Sequence, residues 1–170
     1  TDGLLITAVD RDGAARSWTL DINVTPVNDA PTVDTGAMEP AVVTESDYIV
    51  LTEDHLKLAD VDNQPSELII TVIQQPGLGE LQKFNGTTWV VIADGTFTYQ
   101  DLLSGGIRYH HTGEELGTVS VVDLFKVTVS DGELNVGSTE MDPDAKTEID
   151  INIRVDVLEP TLELRVDDQT

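Results

Sequence analysis

Cysteine is absent from the 170 residues, which removes a disulfide scaffold, a thiolate zinc site and a cysteine nucleophile together. Basic residues are scarce: 9 Lys and Arg face 32 Asp and Glu, giving a formal net charge of −23 and a pI near 4.1. A field of that sign repels phosphate backbones and anionic headgroups, so nucleic acid and direct membrane insertion are not expected. Long hydrophobic runs are missing as well. Leu68-Ile69-Ile70 through Ile73 and Trp89-Val90-Val91-Ile92-Ala93 are far too short to span a bilayer. The chain opens Thr1-Asp2-Gly3 with no Met and no basic leader, and so reads as an internal fragment.

Strand signals fill the space these absences leave. Leu4 to Val9, Ser17 to Thr25, Leu68 to Ile73, Thr88 to Ile92, Leu124 to Ser130 and Glu148 to Val157 are rich in β-branched and aromatic residues. Turn clusters separate them: Arg11-Asp12-Gly13, Pro76-Gly77, Asn85-Gly86, Asp94-Gly95 and Asp131-Gly132. From Glu148 to Val157 apolar and polar residues alternate strictly, the pattern of a strand buried on one face and wet on the other. Only Phe97 to Leu103 and Asp54 to Ala59 suggest a helical turn. The expected class is all-β, an antiparallel sandwich.

The chain also repeats itself. Leu20-Asp21-Ile22-Asn23-Val24 returns as Ile149-Asp150-Ile151-Asn152-Ile153, and Pro31-Thr32-Val33 returns as Pro160-Thr161-Leu162, both at an offset of 129. Ile6-Thr7-Ala8-Val9-Asp10 returns as Val127-Thr128-Val129-Ser130-Asp131 at an offset of 121, so the second copy carries eight extra residues within 133–147. The expected organisation is a tandem array. Residues 1–30 are the last strands of one unit plus a linker, 31–159 a complete unit, and 160–170 the start of the next.

These residues carry a family resemblance. Val27-Asn28-Asp29-Ala30-Pro31 resembles the linker of cadherin-like and related bacterial surface repeats. Three ordered strings resemble the cadherin-related repeat of chondroitin-sulfate-proteoglycan type. They are Gln75-Pro76-Gly77-Leu78-Gly79-Glu80-Leu81, Phe97-Thr98-Tyr99-Gln100-Asp101-Leu102 through Gly106-Ile107-Arg108-Tyr109-His110-His111, and Asp123-Leu124-Phe125 through Ser130-Asp131-Gly132. The resemblance implies an Ig-like or cadherin-like sandwich outside the cell. The acidity, the missing cysteines and the linker string point to the bacterial side, in large adhesins of the RTX type.

Acids cluster. From Asn28 to Asn63 there are 9 acids and one Lys. Calcium takes six to eight oxygens from carboxylates, amide side chains and backbone carbonyls. In an Ig-like unit the loop holding Asp60-Val61-Asp62 and the final hairpin loop opened by Asp131 both return to the linker end. Asn28, Asp29, Asp60, Asp62 and Asp131 are therefore the expected Ca2+ ligands, as cadherin linkers imply; the competing reading is a solvated acidic surface with Asx-turns. At the opposite end, Val157-Leu158-Glu159 replaces Asn28-Asp29-Ala30, and Glu114, Glu115 and Asp123 form a weaker candidate cluster. The inserted string Glu140-Met141-Asp142-Pro143-Asp144 adds three acids at the linker end.

Other chemistry is thin. His110-His111 are adjacent on an extended chain and so point to opposite faces, which argues against a shared metal. Trp18, Trp89, Tyr48, Tyr99 and Tyr109 are too few for an extended sugar platform, and most belong to packing; Trp89 is the one to test. No nucleophile motif, phosphate loop or acid–base pair stands out, so no enzyme is expected. The expected function is a calcium-stabilised stalk repeat of a secreted or cell-surface adhesin, its partners the neighbouring repeats of the same chain. The alternative is a module that grips a glycan or peptide through its end loops.

Overall fold

The computed structural model describes residues 2–93 and 95–158; the expected start of a following repeat at 160–170, together with Asp94 of the Asp94-Gly95 turn, lies outside them. The first element is a hairpin of β1 (Asp2–Val9) and β2 (Ala15–Ile22), with Leu4 opposite Leu20 and Ile6 opposite Trp18. Its turn is fixed by Asp10, whose Oδ1 accepts the N–H groups of Asp12 and Ala14, and by Gly13 at φ +86°.

After an extended linker the chain builds β3 (Thr32–Val33), a single 3-10 turn (Thr35–Ala37), β4 (Ala41–Thr44), β5 (Tyr48–Val50) and β6 (Leu58–Ala59). Then come β7 (Ile69–Gln74), β8 (Gly79–Phe84), β9 (Trp89–Val91), β10 (Thr96–Thr98), α1 (Tyr99–Leu103), β11 (Ile107–His111), β12 (Val121–Ser130) and β13 (Ile149–Asp156). They form a five-stranded sheet in the order β10-β7-β12-β13-β4 and a four-stranded sheet in the order β5-β11-β8-β9. β3 and β6 pair as a short clasp beside the linker. Among the described residues all pairings are antiparallel except β4 with β13, which run parallel with Ala41 opposite Ile153. The nearly all-β sandwich is the fold class expected from the alternation.

Period-two patterning explains the core. Phe125, Val127 and Val129 from β12, Ile149, Ile151, Ile153 and Val155 from β13, and Ile70 from β7 face Leu81, Ile107 and Tyr109 of the other sheet. Their polar alternates, such as Asp150, Asn152 and Arg154, face solvent. Burying a single one of these aliphatic side chains is worth roughly 1.5–3 kcal/mol, so the sandwich carries most of the stability.

The structure corrects two helical expectations. Of Phe97 to Leu103, Phe97 and Thr98 belong to β10, and the helix starts at Tyr99, where Thr98 and Asp101 form a capping box. Asp54 to Ala59 is not a helix. A turn closed by His55 N–H on the Thr52 carbonyl leads into β6, and Leu56 and Leu58, two residues apart, are both buried. A helix would split them by 200° and strand one in water.

Candidate cation site at the linker

The linker is tied to two loops. Asn28 Nδ2 donates to Asp131 Oδ2 at 2.8 Å, and Asp29 N–H donates to Asp62 Oδ2 at 2.9 Å. Asp131 opens the β12–β13 hairpin loop; its Oδ1 also accepts the N–H groups of Glu133 and Leu134. Burial pushes the Asp131 carboxyl up, but the Leu134 N–H and the Asn28 amide outweigh it and hold the group below its ordinary range. Asp60 follows β6, and its Oδ1 accepts the N–H groups of Asp62 and Asn63. The structure thus brings Asn28 to Asp131, and Asp29 to the loop that holds Asp60 and Asp62.

Two oxygens there lack partners. Asp60 Oδ2 and Asn63 Oδ1 are buried with no hydrogen-bond donor within reach among the described residues. A buried acceptor left unmade costs about 1–3 kcal/mol, so each calls for a donor or a cation. A shallow cavity of about 390 Å³ lined by Asp29, Ala30, Thr32 and Asp60 lies beside the linker. Among the described residues no three carboxylate or imidazole side chains converge. A cation at this place would therefore draw on Asn28, Asn63 or backbone carbonyls besides the carboxylates. Calcium accepts such a mixed oxygen set, and the two unpartnered oxygens are of the kind it takes.

At the far end the expected cluster is not gathered. Asp123 faces the interior on β12. Its Oδ1 accepts Gly77 N–H and Leu124 N–H, and its Oδ2 accepts Leu78 N–H and the Tyr109 phenol, all at 2.8–2.9 Å. It is a structural carboxylate, while Glu114 and Glu115 lie exposed on the loop between β11 and β12. Sequence reasoning missed the acid that organises this end. Glu45 is buried, with Oε2 accepting Leu116 N–H and Oε1 accepting Leu158 N–H, and these bonds lower its pKa. The signal was present: Ala41, Val43 and Glu45 share one face of an alternating strand. His111 points inward with Nδ1 accepting Ser46 N–H, and His110 points to the other face. The inserted string is an ordered turn closed between Thr139 and Asp142, with Met141 98% exposed.

A two-sheet sandwich, parallel pairing of its first long strand with its last, and an Asn-Asp linker tied to the loops at one end define a cadherin-like β-sandwich module. The signature of the family described as cadherin-like matches residues 36–151. The chain belongs to that family. It is 29% identical over 133 residues to FRAS1-related extracellular matrix protein 1 of Homo sapiens, covering 78% of this chain and 6% of that protein. It is 37% identical over 117 residues to extracellular matrix protein 3 of Lytechinus variegatus (65% and 4%). To the human extracellular matrix organizing protein FRAS1 it is 32% identical over 131 residues (71% and 3%). The chain thus spans only a small part of each relative's length, and neither the family description nor these names is that of an enzyme.

Proposed function

We propose that the chain is a calcium-braced spacer repeat of a large extracellular protein, in which a cation at the linker locks one sandwich to the next. The observation that carries this reading is the pair of unpartnered buried oxygens, Asp60 Oδ2 and Asn63 Oδ1, beside a linker already tied to both neighbouring loops. Calcium seated at Asp60 and Asn63, drawing in Asn28, Asp29, Asp62 and Asp131 from the linker and adjoining loops on binding, supplies the missing positive charge where the chain's own acids repel one another. Bracing turns a flexible string of sandwiches into a rod, and the function is reach and adhesion at a distance from the cell.

The repeat boundaries support the same account. At offsets of 121 and 129, Leu4, Ile6, Leu20 and Ile22 of the hairpin correspond to Phe125, Val127, Ile149 and Ile151. The first four are 42–53% exposed and their counterparts at most 2%. Residues 1–30 are read as the closing strands of a preceding unit, 31–159 as a whole unit and 160–170 as the opening of another, so that neighbouring repeats are the partners. Relatives named for the extracellular matrix support a place outside the cell. The acidity and the missing cysteines favour a bacterial adhesin as the parent protein.

The test is a melting curve in EDTA, in millimolar CaCl2 and in millimolar MgCl2. A site filled at 100 times its dissociation constant adds about 2.7 kcal/mol to native stability, so a calcium-selective rise of several degrees is expected. Equal curves in all three would remove calcium from the mechanism.

A further inference from the structure

The outer face of the four-stranded sheet holds the most unusual side-chain arrangement in the molecule. Arg108, the second residue of β11, lies between two rings: its Cζ is 4.5 Å from the ring centroid of Tyr48 on β5 and 4.4 Å from that of Trp89 on β9. Nε donates to Gln82 Oε1 at 2.8 Å, and Gln82 Nε2 in turn donates to Glu80 Oε2. Phe84 packs against Trp89 with ring centroids 5.4 Å apart. Two of the chain's eight aromatic residues thus flank one guanidinium on a solvent-facing sheet surface and a third, Phe84, backs Trp89, while the opposite face of the same strands fills the core with Leu81, Ile107 and Tyr109.

Among the described residues Arg108 also lacks an acidic partner: Arg11, Arg16, Arg108 and Lys146 have no carboxylate oxygen within 4.0 Å, and of these four only Arg108 is partly buried. In a chain of net charge −23, an arginine that stacks on rings and leaves its Nη edge without a carboxylate is a preformed acceptor site for an anion. Stacking and the Gln82 bond have already fixed its rotamer, so a ligand carboxylate meets a fork whose ordering cost is spent.

We propose that this face docks an acidic polypeptide segment of a partner protein. One carboxylate is taken by the Nη1/Nη2 edge of Arg108, and a neighbouring apolar side chain rests against Trp89, Phe84 and Tyr48. Tyr, Trp and Arg are the residues that concentrate binding energy at protein interfaces. A sugar ring needs an open aromatic face, and here the guanidinium occupies one face of both Tyr48 and Trp89. A polyanionic glycan also meets the field of 32 acids, whereas a segment with one or two carboxylates meets far less repulsion. The site is independent of any cation at the linker.

The test titrates the intact chain, in EDTA, with a capped peptide spanning residues 139–145 of this protein, which sets a methionine between two acids. The Trp89 indole N–H and Arg108 Nε–H resonances report binding. The expected result is a saturable shift of both signals that is abolished when the peptide's acids are replaced by their amides. Arg108→Lys keeps the charge but loses the fork, and it should weaken binding roughly tenfold or more. Should that variant lose its native spectrum, Tyr48→Ala, at a half-exposed ring, makes the same comparison. No shift up to millimolar peptide, equal binding of the amidated peptide, or shifts with a uronic-acid oligosaccharide and none with peptide would each overturn the proposal.

Discussion

The Tyr109 phenol donates to Asp123 Oδ2 at 2.9 Å, joining the four-stranded sheet to the five-stranded sheet through a polar contact inside an aliphatic core. Burial, and then the Asp123 carboxylate, push the phenol far above its ordinary pKa, so it stays a donor at all physiological pH. Asp123→Ala removes this bond and frees Gly77 and Leu78, and is expected to cost about 3 kcal/mol or more. Tyr109→Phe leaves the carboxylate its backbone donors and should cost about 1–2 kcal/mol. Urea unfolding measures both, and equal losses would show that the phenol, not the backbone clamp, gives Asp123 its importance.

Gly79 marks a second tight place. A Cβ there would lie 2.5 Å from the His110 carbonyl oxygen and from the Tyr109 ring. Gly79→Ala must push β8 from β11 and is expected to lose about 3 kcal/mol. Gly36→Ala, whose nearest neighbour would be at an ordinary 3.5 Å, should melt almost as wild type.

Acid should undo the tie between Asn28 and Asp131. The folded carboxyl titrates below its ordinary value, so its contribution is complete above about pH 4 and is lost as pH falls through the lowered folded value. Asn28→Ala should therefore lower the melting temperature at pH 7, and the gap to wild type should close towards pH 3. A gap that is constant with pH would show that the bond contributes nothing through charge.

Asp60→Ala and Asp62→Ala should melt alike in EDTA and in calcium, while wild type and Asp144→Ala, in the exposed inserted turn, should keep the calcium-dependent rise. If Asp60→Ala retained the full rise, the ligand assignment would be wrong.

Hydrogen exchange should separate two ladders of similar sequence. β1 and β2 are exposed on both faces, whereas β12 and β13 enclose the core. The amides of the first hairpin should exchange far faster in this chain, and joining a further sandwich ahead of it, as the proposed tandem organisation requires, should slow them. Equal protection in both contexts would mean that the hairpin takes no part in a neighbouring sandwich.

The sandwich was legible because Ile149 to Val155 alternate strictly and the turn residues fall between such runs. The internal correspondence between the first hairpin and β12–β13 was also plain from sequence. What stayed hidden was the inward turn of polar groups. Asp123 reads as a loop acid when charge alone is considered. Its parity with Phe125, Val127 and Val129 places it in the core, where backbone N–H groups from a distant turn satisfy it. Glu45 hid in the same way behind Ala41 and Val43. The parallel pairing of β4 with β13 depends on a strand changing sheets, which no local pattern announces.

That pairing has a mechanical consequence. β4 leads away from the linker and β13 leads towards the exit at Val157, side by side and in the same direction over four residue pairs. Tension between the linker and the exit pulls these strands past one another along their length. The hydrogen bonds between them are loaded together in shear instead of opening one at a time like a zip. Glu45, bonded to Leu158 just beyond β13, adds a further fastening at the end where the pull arrives.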